Sequence, residues 1–390
     1  MKDWQKLTLM LAVFLGAFFI PFHDPHVADS IMEGFHMLQE YAREHVLFCL
    51  IPAFFIAGAI ANFISQGAVI KYFGGGASKW ISYSVASVSG TVLAVCSCTV
   101  LPLFAGIYQR GAGIGPAVAF LYSGPAINVL AIILTARVLG WEMGLARAVG
   151  AVVFAVIIGL LMAYFCRQED EERVQSSLEQ MEGEEEKRTP FQNISFFVTL
   201  VLILVFAAWG RPAEAVGFWN TIYELKWYFV VILLGILAYI LLKWFEQEER
   251  ISWVSTTWDF TQQILPLLFA GVLVAGLLMG RPETEAGLIP AQYIETVVGG
   301  NTLQANLVAS IIGAFMYFAT LTEVPILQGL LGSGMGNGPA LALLLAGPAL
   351  SLPNMLVIHS VLGIKKTSIF IVLVIIMATI SGLIYGLIMP

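Results

Sequence analysis

The fold class that the sequence predicts is an all-α polytopic membrane protein. It has two inverted repeats, with about nine spanning helices plus two re-entrant or broken helical hairpins. Three observations predict it. The 390 residues are 58% hydrophobic and 12% charged, which leaves too much apolar surface for a water-soluble core. Eleven apolar segments follow one another, most near the roughly twenty residues that a bilayer crossing needs. Finally, the chain superposes on itself without a gap when its numbering is shifted by 223.

That shift lays Thr99 on Thr322, Pro102 on Pro325, Gly106 on Gly329 and Gly115-Pro116-Ala117 on Gly338-Pro339-Ala340. Gly124-Pro125-Ala126 falls on Gly347-Pro348-Ala349. Thirteen of the 28 positions from Thr99 to Ala126 are identical, far more than apolar composition alone produces, so the chain carries an internal duplication.

Taken in order, Met1 to Phe22 places Lys2 and Lys6 before an apolar run without a small-residue cleavage site, and reads as a retained first helix. His23 to His45 is polar and amphipathic; its His23, Asp24 and His26 read as surface-loop residues rather than as a metal site. We divide the chain into residues 1–45 (first helix and polar outer segment), 46–166 (repeat one), 167–192 (acidic loop), 193–261 (linking helices) and 262–390 (repeat two). The acidic loop holds nine acidic and four basic residues between Arg167 and Arg188, −5 of the net −7, and reads as solvated. No basic–aromatic patch marks a nucleic-acid site. Cys49, Cys96, Cys98 and Cys166 all lie in or beside apolar stretches, unlike a secreted disulfide framework.

Orientation follows from the basic residues. If segments 80–107 and 303–328 enter and return on one side, thirteen of the nineteen Lys and Arg fall on the cytoplasmic face, with the N-terminus and the acidic loop. The first hairpin then opens inside and the second outside, the plan of an inverted-repeat secondary transporter. A spanning but broken helix at each place uses the same residues, and the oligomeric state is open. Pro102, Pro325 and the duplicated Gly-Pro pairs remove backbone donors. In hydrocarbon such breaks survive where protein or a water-filled cavity satisfies the freed groups. Paired breaks therefore point to a substrate site, the other reading being helix kinking and close packing.

Candidate substrate-binding residues are Cys96, Cys98, Thr99, Pro102, Gly124, Pro125, Asn128, Thr322, Pro325, Gly347, Pro348 and Asn354. The two halves differ where it matters: repeat one has Cys96 and Cys98 where repeat two has Ala319 and Leu321, and repeat two has Glu323 where repeat one has Val100. Two thiols one residue apart converge on one soft centre where the backbone turns, and otherwise pack as small hydrophobes. Glu323 is expensive at membrane depth and suits proton coupling or a counter-ion role. Arg147 is expected to snorkel towards the interface. No phosphate-binding loop occurs, so direct ATP use, a cofactor and enzymatic catalysis are not expected.

Cys96-Ser-Cys-Thr-Val-Leu-Pro102, with the Gly-Pro-Ala units and Ser-Gly-Pro-Ala-Ile-Asn at 123–128, resembles the predicted-permease family that includes the ArsP organoarsenical efflux permeases. The resemblance covers roughly residues 46–389. It implies a bacterial inner-membrane permease and, for the ArsP branch, arsenic resistance by efflux of trivalent organoarsenicals such as methylarsenite. Cys96 and Cys98 would then hold the metalloid of the substrate and Glu323 would exchange a proton. An alternative keeps the architecture but binds a small anion, a carboxylate or sulfur oxyanion, at helix N-termini. A membrane thiol oxidoreductase is the third reading, against which stand the strain of a Cys-x-Cys disulfide and the lack of any quinone or haem ligand pattern.

Overall fold

The computed structural model describes residues 23–64, 79–93, 97–127, 129–170, 188–209, 218–280, 297–316, 323–332 and 334–389, with isolated positions besides. Nearly all of this is helix, and the described residues contain no strand, only a single bridge between Gly299 and Met335. Helix α1 (Pro25–Tyr41) continues through π-helical turns at Ala42–Leu50 into α2 (Ile51–Phe63). There follow α3 (Lys79–Leu93), α4 (Ser97–Gln109), α5 (Ile114–Ala126), α6 (Val129–Val138) and α7 (Trp141–Phe165). After the acidic loop come α8 (Pro190–Ala207), α9 (Phe218–Trp244), α10 (Gln247–Met279), α11 (Leu303–Phe315), α12 (Glu323–Gly332), α13 (Asn337–Leu350) and α14 (Leu352–Ile388). In the first apolar run the described positions Leu7, Met10, Leu11, Phe14, Phe18 and Phe19 are helical and exposed.

Local chemistry starts these helices where the sequence permits. Asp24 caps α1, accepting the N–H of His26 at 3.0 Å, and Pro25 takes the first turn, where its missing donor is no loss. The His23–Asp24–His26 cluster is thus a helix entry, and the described residues contain no group of metal-ligating side chains. The polar stretch after it is helical too, and it buries Gly34, Met37 and Tyr41. Thr189 and Gln192 form a capping box at α8, as do Glu246 and Glu249 at α10. In α14 the backbone breaks at Gly363, whose φ of 78° belongs to glycine, so Leu352–Leu362 and Ile364–Ile388 are separate helical pieces.

Among the described residues, five helices are long and apolar enough to cross a bilayer: Pro25–Phe63, Trp141–Phe165, Asn220–Trp244, Gln247–Leu278 and Leu352–Ile388. The pair 114–126 and 131–138, bent by 45°, makes a sixth. Shorter apolar helices lie at Thr99–Gln109, Phe191–Ala207, Leu303–Phe315 and Asn337–Leu350.

The 223-residue shift reappears in the helix boundaries. It carries α3 onto α11, α4 onto α12 and α5 onto α13, and α6 and α7 onto the two pieces of α14, each to within about three residues. The packing repeats as well. Gly115 lies against Gly159 with Tyr83 beside them, and their counterparts Gly338, Gly382 and Asn306 make the same contact. These first Gly-Pro pairs sit in the opening turns of α5 and α13, where a proline costs no hydrogen bond, so here the packing reading holds. The second pairs end their helices: α5 stops at Ala126, and α13 stops at Leu350 before Ser351, whose φ is 15°. Chain breaks therefore fall at matching places.

Helices α5 and α13 form the centre, since every residue of Ile114–Ala126 and of Gly338–Leu350 is buried. They meet at counterpart positions, the Tyr122 hydroxyl donating to the Leu345 carbonyl at 3.1 Å. The α1–α2 helix and α10 run antiparallel along their length: Gly34 lies on Leu273 and Leu277, Gly58 on Thr257, and the Trp253 indole donates to the Phe55 carbonyl at 2.8 Å. Glycines at these crossings let the backbones approach. By contrast α9 is apolar and largely exposed, as a lipid-facing helix is.

Both ends of the α3–α4 unit come to one end of the bundle. Tyr83 lies on Gly115 at the start of α5, and Arg173 donates to the carbonyls of Tyr108 and Ala112 while Asp170 accepts the Ile114 N–H at 2.9 Å. Lys365 joins this end through Glu169 at 2.5 Å, and its hydrogen bond holds the exposed Glu169 carboxyl below the usual carboxylate range. The two ends of α11–α12 also share an end. The Gly336 N–H donates to Val298, Asn301 to the Leu383 carbonyl, and Asn337 to the Met389 carbonyl. Between Lys365 and Met389 lies the helix 364–388, whose 25 residues rise about 37 Å.

Candidate site at the junction of the two halves

Of the sequence candidates, Thr99 is buried in the first turn of α4 and Pro102 in its interior. Gly124 and Pro125 close α5, and Gly124 lies so close against Val100 that a Cβ there would come within 2.4 Å of its methyl carbon. Gly347 and Pro348 close α13 in the same way. Asn354 opens α14, 2% exposed; its amide donates to the Pro348 carbonyl at 3.3 Å, bridging the break, while its Oδ1 has no partner among the described residues. Cys98 and Pro325 belong to α4 and α12 by their backbone, with side chains outside the description. Cys96, Asn128 and Thr322 lie outside the described residues. The structure thus joins Gly124 to the first turn of α4, and Asn354 to Pro348.

Glu323 is the first residue of α12, and its side chain is 1% exposed. It faces Arg147 of α7, 0% exposed, with Oε1 2.5 Å from the guanidinium Nη2. Arg147 therefore does not snorkel. Its carbon stem leaves α7 into the protein interior, where a carboxylate replaces the water it would otherwise reach for. The other guanidinium nitrogen, Nη1, donates to the Thr135 hydroxyl of α6 at 3.0 Å, and that hydroxyl donates to the Ala131 carbonyl at 2.7 Å. Nε has no acceptor among the described residues. The contact with Glu323 is a short, charge-assisted ion pair. The group is net neutral, and it ties the second hairpin unit to α6 and α7 of the first half.

The sequence reading missed Arg147 and Thr135. The signal was present in the register: shifted by 223, Glu323, Arg147 and Thr135 fall on Val100, Phe370 and Ile358. All three counterparts are fully buried members of the hydrophobic core. One of the two junctions between the halves holds the Arg147–Glu323 ion pair with Thr135, where the counterpart positions of the other are apolar. A shallow surface hollow lined by Asn62, Phe63, Glu248, Glu249 and Ser252 includes none of these residues.

No solved structure matches the chain. The chain is 45% identical over 355 residues to the UPF0718 protein MJ0584 of Methanocaldococcus jannaschii, covering 90% of this chain and 94% of that protein. It is also 23% identical over 271 residues to the UPF0718 protein YraQ of Escherichia coli K12, covering 70% of this chain and 58% of that protein. The family model described as a predicted permease matches residues 31–387. With the apolar helices and the duplicated core, that match of most of the chain makes the protein a membrane protein of the ArsP_1 predicted-permease family.

Proposed function

We propose that the chain is a secondary permease with two inverted repeats and about nine spans, whose substrate passes where the repeats meet. The observation that carries this reading is the pair of interrupted units, α3–α4 and α11–α12, each with its two ends at one end of the bundle and the two mouths a helix length apart. Antiparallel packing of α1–α2 against its counterpart region α10 supports the same inversion, because a two-fold axis along the membrane normal would make counterpart helices parallel. Lys79, Arg110, Arg173, Lys365 and Lys366 all belong to the first mouth or its helix ends, which favours the cytoplasmic side for it and a cytoplasmic N-terminus, in an inner membrane. Single cysteines at positions 79 and 110 should react with an impermeant maleimide from the cytoplasmic side, and cysteines at 303 and 335 from the other. Labelling of all four from one side would refute the inversion.

The substrate of this reading is a small thiophilic solute, a trivalent organoarsenical such as methylarsenite, exported against proton entry through Glu323. Methylarsenite has two exchangeable hydroxyls. Each leaves as water with a thiol proton as Cys96 or Cys98 forms an As–S bond, so no oxidant is needed. Accumulation of methylarsenite in everted vesicles should vanish in the Cys96→Ser, Cys98→Ser double variant, while membrane insertion is retained. Undiminished accumulation would remove the thiols from the mechanism.

A further inference from the structure

We infer that Arg147 is an anion-binding residue whose site is held by the carboxylate of Glu323, and that a small carboxylate or similarly shaped oxyanion takes its place when Glu323 gains a proton. The inference goes beyond thiol chemistry, and takes from the permease reading only that this junction faces the transport path.

Three features of the junction carry it. The guanidinium is a planar fork of donors suited to a carboxylate, and it already holds one, 2.5 Å away and fully buried. Its hydrogen bonding is incomplete: Thr135 takes one Nη1 donor, Glu323 pairs with Nη2, and Nε is unmatched among the described residues. The pair is also not what the fold needs at this place, since the counterpart positions Val100, Phe370 and Ile358 are apolar and fully buried in the core. An ion pair kept at one of the two junctions only, between the hairpin unit and the helices that it meets, serves something other than packing.

Charge balance then fixes the coupling. An unpaired arginine in a buried site is strongly unfavourable, so an anion on Arg147 offsets the cost of protonating Glu323, and a proton on Glu323 frees Arg147 for an anion. When a proton and an anion enter together, the site stays neutral. Among the described residues, the titratable groups that face this exchange are Arg147 on α7, Glu323 on α12 and the Tyr122 phenol on α5, which lies within the field of Arg147. Thr135 on α6 is polar but does not titrate. Glu323 stands at the head of α12 and Arg147 within the long α7, so exchanging the internal carboxylate for a free one releases the second hairpin unit from the first half.

Acetate is the appropriate probe, because it is the end group of Glu323 itself. Added to the purified full-length protein in weakly buffered detergent near neutral pH, saturating acetate should drive uptake approaching one proton per chain, read with a soluble pH indicator. Glu323→Gln, which removes the internal competitor, should bind acetate about tenfold or more tighter by calorimetry, a gain of roughly 1.4 kcal/mol, with no proton uptake. Arg147→Gln should show neither binding nor uptake. The readout is acetate binding and proton uptake, not methylarsenite accumulation, so failure of the thiol mechanism leaves this result untouched. Acetate binding without proton uptake in the wild type, or no acetate binding by wild type and Glu323→Gln, overturns the inference. The wild-type measurement decides it even where a variant does not fold.

Discussion

Arg147→Leu alone should destabilise the protein by about 3–5 kcal/mol, because it strands the Glu323 carboxylate without a partner in a site where both side chains are at most 1% exposed. Glu323→Leu should do comparable damage by stranding the guanidinium. The informative comparison is the triple variant Thr135→Ile, Arg147→Phe, Glu323→Val, which copies into this junction the residues at the counterpart positions Ile358, Phe370 and Val100. A buried ion pair exchanged for apolar side chains of similar volume is often neutral or stabilising, so the triple variant should recover most of the loss while remaining inactive in proton-coupled transport. Unfolding midpoints in detergent, read by tryptophan fluorescence, check this. A triple variant as unstable as the single ones would mean that the two junctions are not equivalent and that the charges hold the fold.

The second large effect concerns the glycine crossings. A Cβ on Gly159 would come within 2.7 Å of the Gly115 carbonyl oxygen, and one on Gly382 within 2.6 Å of the Gly338 carbonyl oxygen. Both obstacles are backbone, which moves only with its helix. Gly159→Val and Gly382→Val should each cost about 1–3 kcal/mol or more by overpacking, and by similar amounts because the contacts are counterparts. Gly235→Ala on the outward-facing α9, where nothing lies within 4 Å, should be neutral or slightly stabilising, as alanine is the better helix former. Equal tolerance of all three substitutions would show that the α5–α7 contact and its counterpart do not depend on close backbone approach.

Much of the candidate site was legible because a duplication compares a sequence with itself. Glu323 stood out against Val100, and the second Gly-Pro units marked helix ends that do break. The first Gly-Pro units misled in part: a proline in an opening turn interrupts nothing, and whether it opens a helix or sits inside one depends on where the preceding helix stops. Arg147 was read as an interfacial residue because hydropathy gives depth only to within a turn or so, and its partner lies 176 positions away.

By itself the sequence determined the membrane class, the 223-residue repeat, the matching chain breaks and the one buried acid of the second hairpin unit, since apolar length, glycine, proline and charge act through local backbone and solvation. Tertiary structure alone decided that Arg147 joins Thr135 to Glu323 and that Tyr122 meets its own counterpart position at Leu345. It also decided that glycines 115 and 159 serve contact rather than flexibility. Those are pairings across helices, and their geometry comes from how the two halves pack rather than from any spacing along the chain.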